Sequence, residues 1–303
     1  MINITYCPAC AGPASDSTFL GTFGKVLREP SPGFLTDLYK CRRCTHVYNN
    51  PQLSAEELEP FYPESYHVFA KGWLSREQIE SEIIGFSGDQ FRHVPIKKGG
   101  HYLDVGCANG DMVALIGALG MHALGVDLSP HAASIAVERG LNVRCCTLVE
   151  ANFPSTNFDA ISMFHVLEHI QDPVEILREC FRILKPGGTQ VIGVPNSDSQ
   201  MFKLLGDAWH ALDVPRHLQH FNPVSLRTAV ERAGFKVTRL TTEALDWAVE
   251  SELTYWLRRR FLVPQRLTKS LGLVRGLSRR LARKANATGR GEAVLLWATK
   301  AVR

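Results

Sequence analysis

From His101 onward, short apolar runs alternate with longer amphipathic ones. Tyr102-Leu103-Asp104-Val105 reads as a buried strand, and Gly106-Cys107-Ala108-Asn109-Gly110 as a tight turn. Residues 111–119 then follow helical spacing and close at Gly120. A second strand over 122–126 ends at Asp127, and Ser129-Pro130 supplies N-cap and N1 residues for a helix running to Gly140. Further strands are predicted over 142–146, 158–163 and 189–194. Between the last two lies a helix capped by Asp172, with Pro173 at N1 and Glu175 at N3, ending at Lys185-Pro186-Gly187-Gly188. Residues 235–240 and 293–300 read as a final, adjacent strand pair, separated by a helical, aromatic stretch over 247–261. Strand and helix in strict alternation predict an α/β, doubly wound parallel sheet.

The first hundred residues follow another rule. Cys7-Pro8-Ala9-Cys10 and Cys41-Arg42-Arg43-Cys44 are two C-x-x-C turns with thirty residues between them. Zn2+ takes four soft ligands in a tetrahedron, and paired turns aim their sulfurs inward. Four thiolates leave no open position for a substrate, so Cys7, Cys10, Cys41 and Cys44 predict a structural zinc ribbon that the metal holds folded. Ser54 with Glu57 forms a capping box for a short helix. Residues 70–98 read as a mostly helical connector ended by Pro95 and Gly99-Gly100. The predicted organisation is a ribbon over 1–66, a connector over 67–98, and a cofactor-binding domain over 99–303 carrying an insertion at about 243–290.

Composition narrows the setting. The chain has 303 residues, 45% hydrophobic, enough for a full core plus a small appended domain. It has no apolar run of membrane-spanning length, and its N-terminus lacks a signal-peptide layout, so a cytoplasmic protein is expected. Eight cysteines with four in C-x-x-C pairs argue for metal rather than disulfides. Net charge is +4, yet residues 257–290 hold eleven Arg or Lys and no acid, leaving 23 basic against 30 acidic residues elsewhere. An anionic partner is expected for that segment alone.

A doubly wound sheet binds its ligand across the carboxyl ends of its first strands. Asp104, the glycine turn and Asp127 stand there, and an acid after the second strand accepts hydrogen bonds from ribose hydroxyls. A dinucleotide turn needs G-x-G-x-x-G; this one is G-x-A-x-G, with Asp111 where a pyrophosphate would sit. S-adenosylmethionine has no phosphate, and its cationic sulfonium and ammonium tolerate nearby acids, so the methyl donor is favoured.

LDVGCANGD, GVDLS, FDAISMFHVLEHIQDP and LKPGG, in this order over residues 101–195, resemble the successive motifs of class I S-adenosylmethionine-dependent methyltransferases. The resemblance implies a Rossmann-like seven-stranded sheet. It implies that Asp104, Gly106 and Gly110 hold the methionine part and Asp127 the ribose. Leu128, Thr147 and Leu148 would border the adenine, with Cys107, Ala108 and Phe164 lining the same site. Ala108 replaces the middle glycine of the family turn. With the four-cysteine ribbon in front, the chain is similar to a bacterial group that accompanies polysaccharide, sugar-nucleotide and secondary-metabolite biosynthesis. That group includes sugar C-methyltransferases and relatives of ubiquinone-pathway O-methyltransferases.

Methyl transfer to a hydroxyl or an enolisable carbon needs a base, and His suits that role near neutral pH. His165-Val166-Leu167-Glu168-His169 reads alone as the H-x-x-E-H of an inverted zinc protease. A strand enters it and Pro173 opens a new helix, so no single helix presents both imidazoles. His165 and Glu168 are instead expected on the substrate side of the donor site, as a base pair or as a metal site like the related Glu-x-x-Glu-His stretch, whose first Glu is His165 here. His217 and His220, with Arg216 as an anion clamp, are the second candidates, in the loop where this fold places substrate residues; His220 capping the helix near Pro223 is the structural alternative. His169 is expected to bond the loop, and His210 beside Trp209 is a weaker candidate. No Asn/Asp-Pro-Pro-Tyr follows the fourth strand, which disfavours adenine or glutamine nitrogen and leaves oxygen or carbon.

The expected acceptor is a small molecule, free or linked to a lipid or nucleotide. Leu267, Leu271, Val274, Leu277 and Leu281 give the basic insertion an apolar stripe, suited to peripheral membrane contact, to gripping a phosphate, or to packing as a lid. An RNA methyltransferase using ribbon and basic helix ranks second, because the ribbon lacks interleaved basic and aromatic residues.

Overall fold

The computed structural model describes residues 1–24, 34–62, 75, 77–78, 93–261 and 272–302. Most of the predicted connector, and Leu267 and Leu271 of the apolar stripe, lie outside the described residues. The chain forms two compact units. One comprises Met1–Leu58, Val194–Leu226 and Leu240–Leu295; the other comprises Glu59–Gly193, Arg227–Arg239 and Leu296–Arg303.

The strands of the larger sheet are β4 (His101–Val105), β5 (His122–Asp127), β6 (Val143–Cys145), β7 (Phe158–Phe164), β8 (Leu184–Pro195), β10 (Lys236–Glu243) and β11 (Ala293–Thr299), in the order β10-β11-β8-β7-β4-β5-β6. β4 pairs in parallel with both β5 and β7, β5 with β6, and β7 with β8. The chain therefore moves outward from β4 in one direction, returns, and continues in the other. Beside β4 the strand order reverses, which opens a crevice at the strands' carboxyl ends. Tyr102, Leu103, Asp104 and Val105 are all buried, as a strand covered on both faces requires.

Local signals start and stop the helices as the sequence predicts. α2 (Asp111–Ala118) buries Met112, Val113, Leu115 and Ile116, of which Met112 and Ile116 share a core cluster with Tyr102 and Ala160. α3 (Pro130–Glu138) begins where Ser129 Oγ accepts from Ala132 N–H, and α4 (Pro173–Ile183) where Asp172 Oδ1 accepts from Glu175 N–H at 3.0 Å. β8 starts five residues earlier than expected. Lys300 Nζ donates to the carbonyls of Phe181 and Leu184, at 2.7 and 2.8 Å, closing the end of α4. The chain leaves that end already extended, and Gly187 N–H donates to Lys300 O.

The ribbon sheet consists of β1 (Ser17–Phe23), β2 (Thr36–Cys41), β3 (Val47–Asn49) and β9 (Gln219–His220), in that order, with antiparallel pairs throughout. α1 (Ala55–Leu58) carries the predicted capping box: Glu57 N–H donates to Ser54 Oγ and Ser54 N–H to Glu57 Oε2. In β9, Val47 pairs with His220 and Tyr48 with Gln219, so the 213–226 loop supplies the fourth ribbon strand. Leu38 and Val47 share a core with Leu205, Trp209, Leu212 and Val214, and with residues of α7 (Asp246–Phe261) and α8 (Gly272–Ala287). α5 (Gln200–Leu205) and α6 (Pro223–Arg232) complete the helices used below. On α8 the buried face is Val274, Ser278, Ala282 and Ala285, at helical spacing. Small side chains let α8 approach its neighbours closely, whereas Leu277 of the predicted stripe is 51% exposed.

Candidate active site

The four ribbon cysteines converge. Cys7 Sγ lies 3.5 Å from Cys44 Sγ and Cys10 Sγ 3.7 Å from Cys41 Sγ, and all four sulfurs fall within 4.8 Å of one another. A tetrahedral Zn2+ with sulfurs at about 2.3 Å sets them about 3.8 Å apart. The spacing fits. The contact between Cys7 and Cys44 pulls the pKa of one thiol down and pushes its partner's up, so the pair readily holds one thiolate, the form a soft cation takes. Gly12 N–H points at Cys10 Sγ at 3.4 Å. Beside them, buried His46 is kept neutral by desolvation and bonds Gln219 Oε1 through Nε2 at 3.0 Å.

At the other unit's crevice, strand register brings the expected cofactor residues together. Asp104 stands opposite Gly125 on β5 and Ser162 on β7. Ser162 Oγ donates to Asp104 Oδ1 at 2.5 Å. A hydroxyl has one proton, so the contact between Tyr102 Oη and Ser162 Oγ has Tyr102 as donor. Burial pushes the Asp104 carboxyl up to about 7, against the pull of Ser162 and Tyr102 and with a further push from Asp127. Such a group gains by meeting a cation.

Gly106 and Gly110 adopt φ of 73° and 83°, a region that favours glycine. A Cβ on Gly106 would come within 2.2 Å of Val166, and one on Gly110 within 2.6 Å of Leu141. Ala108 sits between them with φ of 45°. The turn is tied down by Gly106 and Cys107 N–H groups donating to Val126 O, while Gly125 leaves room for the buried Cys107. Asp127 Oδ2 accepts from Ala108 N–H and Oδ1 from Ser129 N–H, both at 2.8 Å; burial raises its pKa against these two donors. Leu128 follows with 69% of its surface exposed, an apolar platform beside the acid. Thr147 caps a turn with Glu150, and Leu148 is buried beneath it. Asp111 pairs with Arg139 at 2.8 Å, which offsets its charge but leaves a carboxylate in the first turn of α2. These residues fit the methyl donor: an acidic pocket for a cationic amino acid, a ribose acceptor, an apolar plate, and a turn whose two glycines have no room for a Cβ.

β7 ends at Phe164, and the chain turns through His165 with φ of 55°, its N–H donating to Gly193 O. This left-handed conformation is uncommon for a residue other than glycine. The His165 ring is about half exposed, while Glu168 is buried with Oε1 3.4 Å from His165 Nδ1. His169 Nδ1 bonds Tyr62 Oη at 2.9 Å.

His217 and His220 lie in the ribbon-containing unit. His217 Nδ1–H donates to Ala211 O at 2.8 Å, and its Nε2 lies 3.9 Å from Asp213 Oδ2. His220 Nε2 donates to Asn49 Oδ1 at 3.2 Å, while Asn49 Nδ2 donates to His217 O at 3.0 Å, so one ribbon residue braces both histidines. The N-terminus of α6 is instead capped by Asn222, whose Oδ1 accepts from Ser225 N–H. Arg216 is buried and grips Asp213 through two hydrogen bonds of 2.9 and 2.8 Å. His210 rests on the buried Glu252 carboxylate. Sequence reasoning missed Tyr102, two residues before Asp104 on β4, Ser162, opposite Asp104 on β7, and Val166, in the turn after β7.

Residues 77–240, more than half of the chain, match the methyltransferase-domain family. Among curated relatives, the ubiquinone biosynthesis O-methyltransferase of Xanthomonas campestris is 25% identical over 222 residues, covering 69% of this chain and 83% of that protein. The corresponding protein of Xanthomonas oryzae is 32% identical over 170 residues, covering 52% and 71%. Solved structures share the fold. A phosphoethanolamine N-methyltransferase 2 of Haemonchus contortus aligns with TM-score 0.52 at 19% identity, over 94% of this chain and 68% of that one. A SAM-dependent methyltransferase of Archaeoglobus fulgidus aligns with TM-score 0.50 at 19% identity, over 75% and 95%. With the family match and the donor cradle agreeing, the chain belongs to the methyltransferase-domain family and is a class I S-adenosylmethionine-dependent methyltransferase.

Proposed function

We propose that this enzyme methylates an oxygen or a carbon of a small biosynthetic intermediate, a saccharide or secondary metabolite that is free or carried on a lipid or nucleotide. The ribbon holds a structural Zn2+, and the enzyme works in the cytoplasm. The observation that carries the reading is the pairing of half-exposed His165 with buried Glu168 where β7 ends. Hydroxyl and enolisable-carbon acceptors must lose a proton, and a base placed at the lip of the donor site suits them. The curated relatives named as O-methyltransferases support the oxygen branch.

When bound, S-adenosylmethionine supplies a methyl carbon activated by its sulfonium. Asp104 in its ionised form balances the ammonium, and Asp127 takes the ribose hydroxyls. The Gly106–Gly110 turn lets the backbone close on the donor. His165 takes the acceptor's proton, and Glu168 orients the ring and stabilises the imidazolium. His217, whose Nε2 faces the Asp213 carboxylate, is the second base position; His220, whose Nε2–H is spent on Asn49, positions the loop.

The test uses methyl-labelled S-adenosylmethionine with the full chain and separated cell fractions. Label should enter the low-molecular-mass or lipid fraction in alkali-stable form, and His165→Ala should lose it. Label in RNA instead would overturn the reading.

A further inference from the structure

At the ribbon-containing unit, Gln200, Lys203, Lys284, Thr288 and Arg290 line a cleft of about 360 Å³. Small-ligand clefts run from about 300 to about 1,000 Å³, so this one suits a compact group. Three of its five lining residues are cations. Lys203 is held by Asp198 at 2.6 Å, whereas no ion pair is recorded for Lys284 or Arg290 among the described residues.

The charge is concentrated. Arg279 and Arg283 lie one turn apart on α8, as do Arg280 and Lys284, and no acid occurs between Gly272 and Gly291. Like charges at this spacing destabilise a helix unless an anion joins them. The backbone around the cleft is fixed. Arg290 N–H donates to Ala285 O and Thr288 N–H to Lys284 O, so two carbonyls in the last turn of α8 are capped, and the cations there complement the negative end of the helix. Gln200 N–H donates to Arg290 O at 3.0 Å, tying α5 to the same strand of chain. Asn286 bonds both the N–H and the carbonyl of Ala244, anchoring the last turn of α8.

We infer that this cleft binds a phosphate or diphosphate group. Arg290 offers a planar fork suited to two phosphate oxygens, Lys284 a mobile point charge, Lys203 a charge shared with Asp198, and Gln200 and Thr288 neutral polar groups. A phosphate on the acceptor is the role that deepens the proposed function, and only this role rests on that reading. The site itself does not.

The experiment titrates the full chain with inorganic pyrophosphate by calorimetry at fixed ionic strength, alongside Lys284→Gln/Arg290→Gln. The expected result is saturable one-to-one binding that weakens at least tenfold in the variant. Thermal melting and S-adenosylmethionine affinity should stay unchanged, because both altered side chains are exposed. A parallel arm uses phosphatidylglycerol vesicles: sedimentation that pyrophosphate competes away identifies a lipid phosphate as the source, and its absence identifies a soluble one. No saturable pyrophosphate binding, or equal binding by the variant, overturns the inference. So does RNA binding that pyrophosphate does not displace. Failure here with S-adenosylmethionine binding intact leaves the methyltransferase reading standing.

Discussion

Gly106 and Val166 are locked together: a Cβ on the glycine would stand 2.2 Å from Val166 Cγ2. The donor turn after β4 and the His165 lip after β7 therefore close on each other within one unit. Gly106→Ala adds a clash to a φ of 73°. Overpacking and left-handed strain together should cost ~2–4 kcal/mol. In chemical denaturation, Gly106→Ala/Val166→Ala should recover the packing share but not the backbone share. Full recovery by the double variant would show that the turn is unstrained.

Asp104 makes donor binding pH-dependent. Its carboxyl is raised to about 7 by burial, against an unfolded value of about 3.9. Its stabilising contribution is therefore present below about pH 4 and lost as pH rises through about 7. A cationic donor favours the ionised form, so S-adenosylmethionine affinity should rise as pH climbs from 6 to 8. Asp104→Asn should bind weakly with a flat profile. Calorimetry across pH checks this, and a flat wild-type profile would rule it out.

Ala108 lies between Gly106 and Gly110 with φ of 45°. The left-handed region costs a non-glycine residue ~1–2 kcal/mol, while glycine loses ~0.5–1 kcal/mol in unfolded-state entropy. Ala108→Gly should raise stability by ~0.5–1 kcal/mol in urea titration. A loss of stability would mean that the methyl group packs usefully.

His165→Ala should lower kcat by ~10²–10⁴-fold while leaving the KM for S-adenosylmethionine nearly unchanged. Glu168→Gln should shift the pH-rate profile without removing donor binding. If His217→Ala alone gives the larger kcat loss, His165 is not the base.

Removing the metal should loosen more than the knuckles. Val47 and Tyr48 of β3 pair with His220 and Gln219, so freeing the cysteines frees β9. Metal analysis should find one Zn2+ per chain. Cys41→Ser should speed amide exchange at 219–220 while β4 and β5 keep their protection. Unchanged exchange there would separate the ribbon from the loop.

The larger sheet and donor cradle were legible because their signals are local. Buried parallel strands are apolar runs, Ser129 and Asp172 announce their helices, and Asp127 ends its strand at the crevice. Long-range partners were not legible. Gln219-His220 has no strand pattern and becomes β9 only by pairing with β3. Ser278, Ala282 and Ala285 look like a polar-to-neutral face, yet they are the buried one, because close helix packing rewards small side chains. Lys203 and Arg290 are far apart in sequence, and only the fold sets them around one cleft.

The most direct test of the account is a crystal structure of the full chain with S-adenosylhomocysteine. The account predicts its amino acid part at Asp104 and the Gly106–Gly110 turn, its ribose on Asp127, and the His165 ring within about 8 Å of the sulfur, leaving room for an acceptor between them. A ligand seated elsewhere, or His165 turned away beyond that reach, would contradict it.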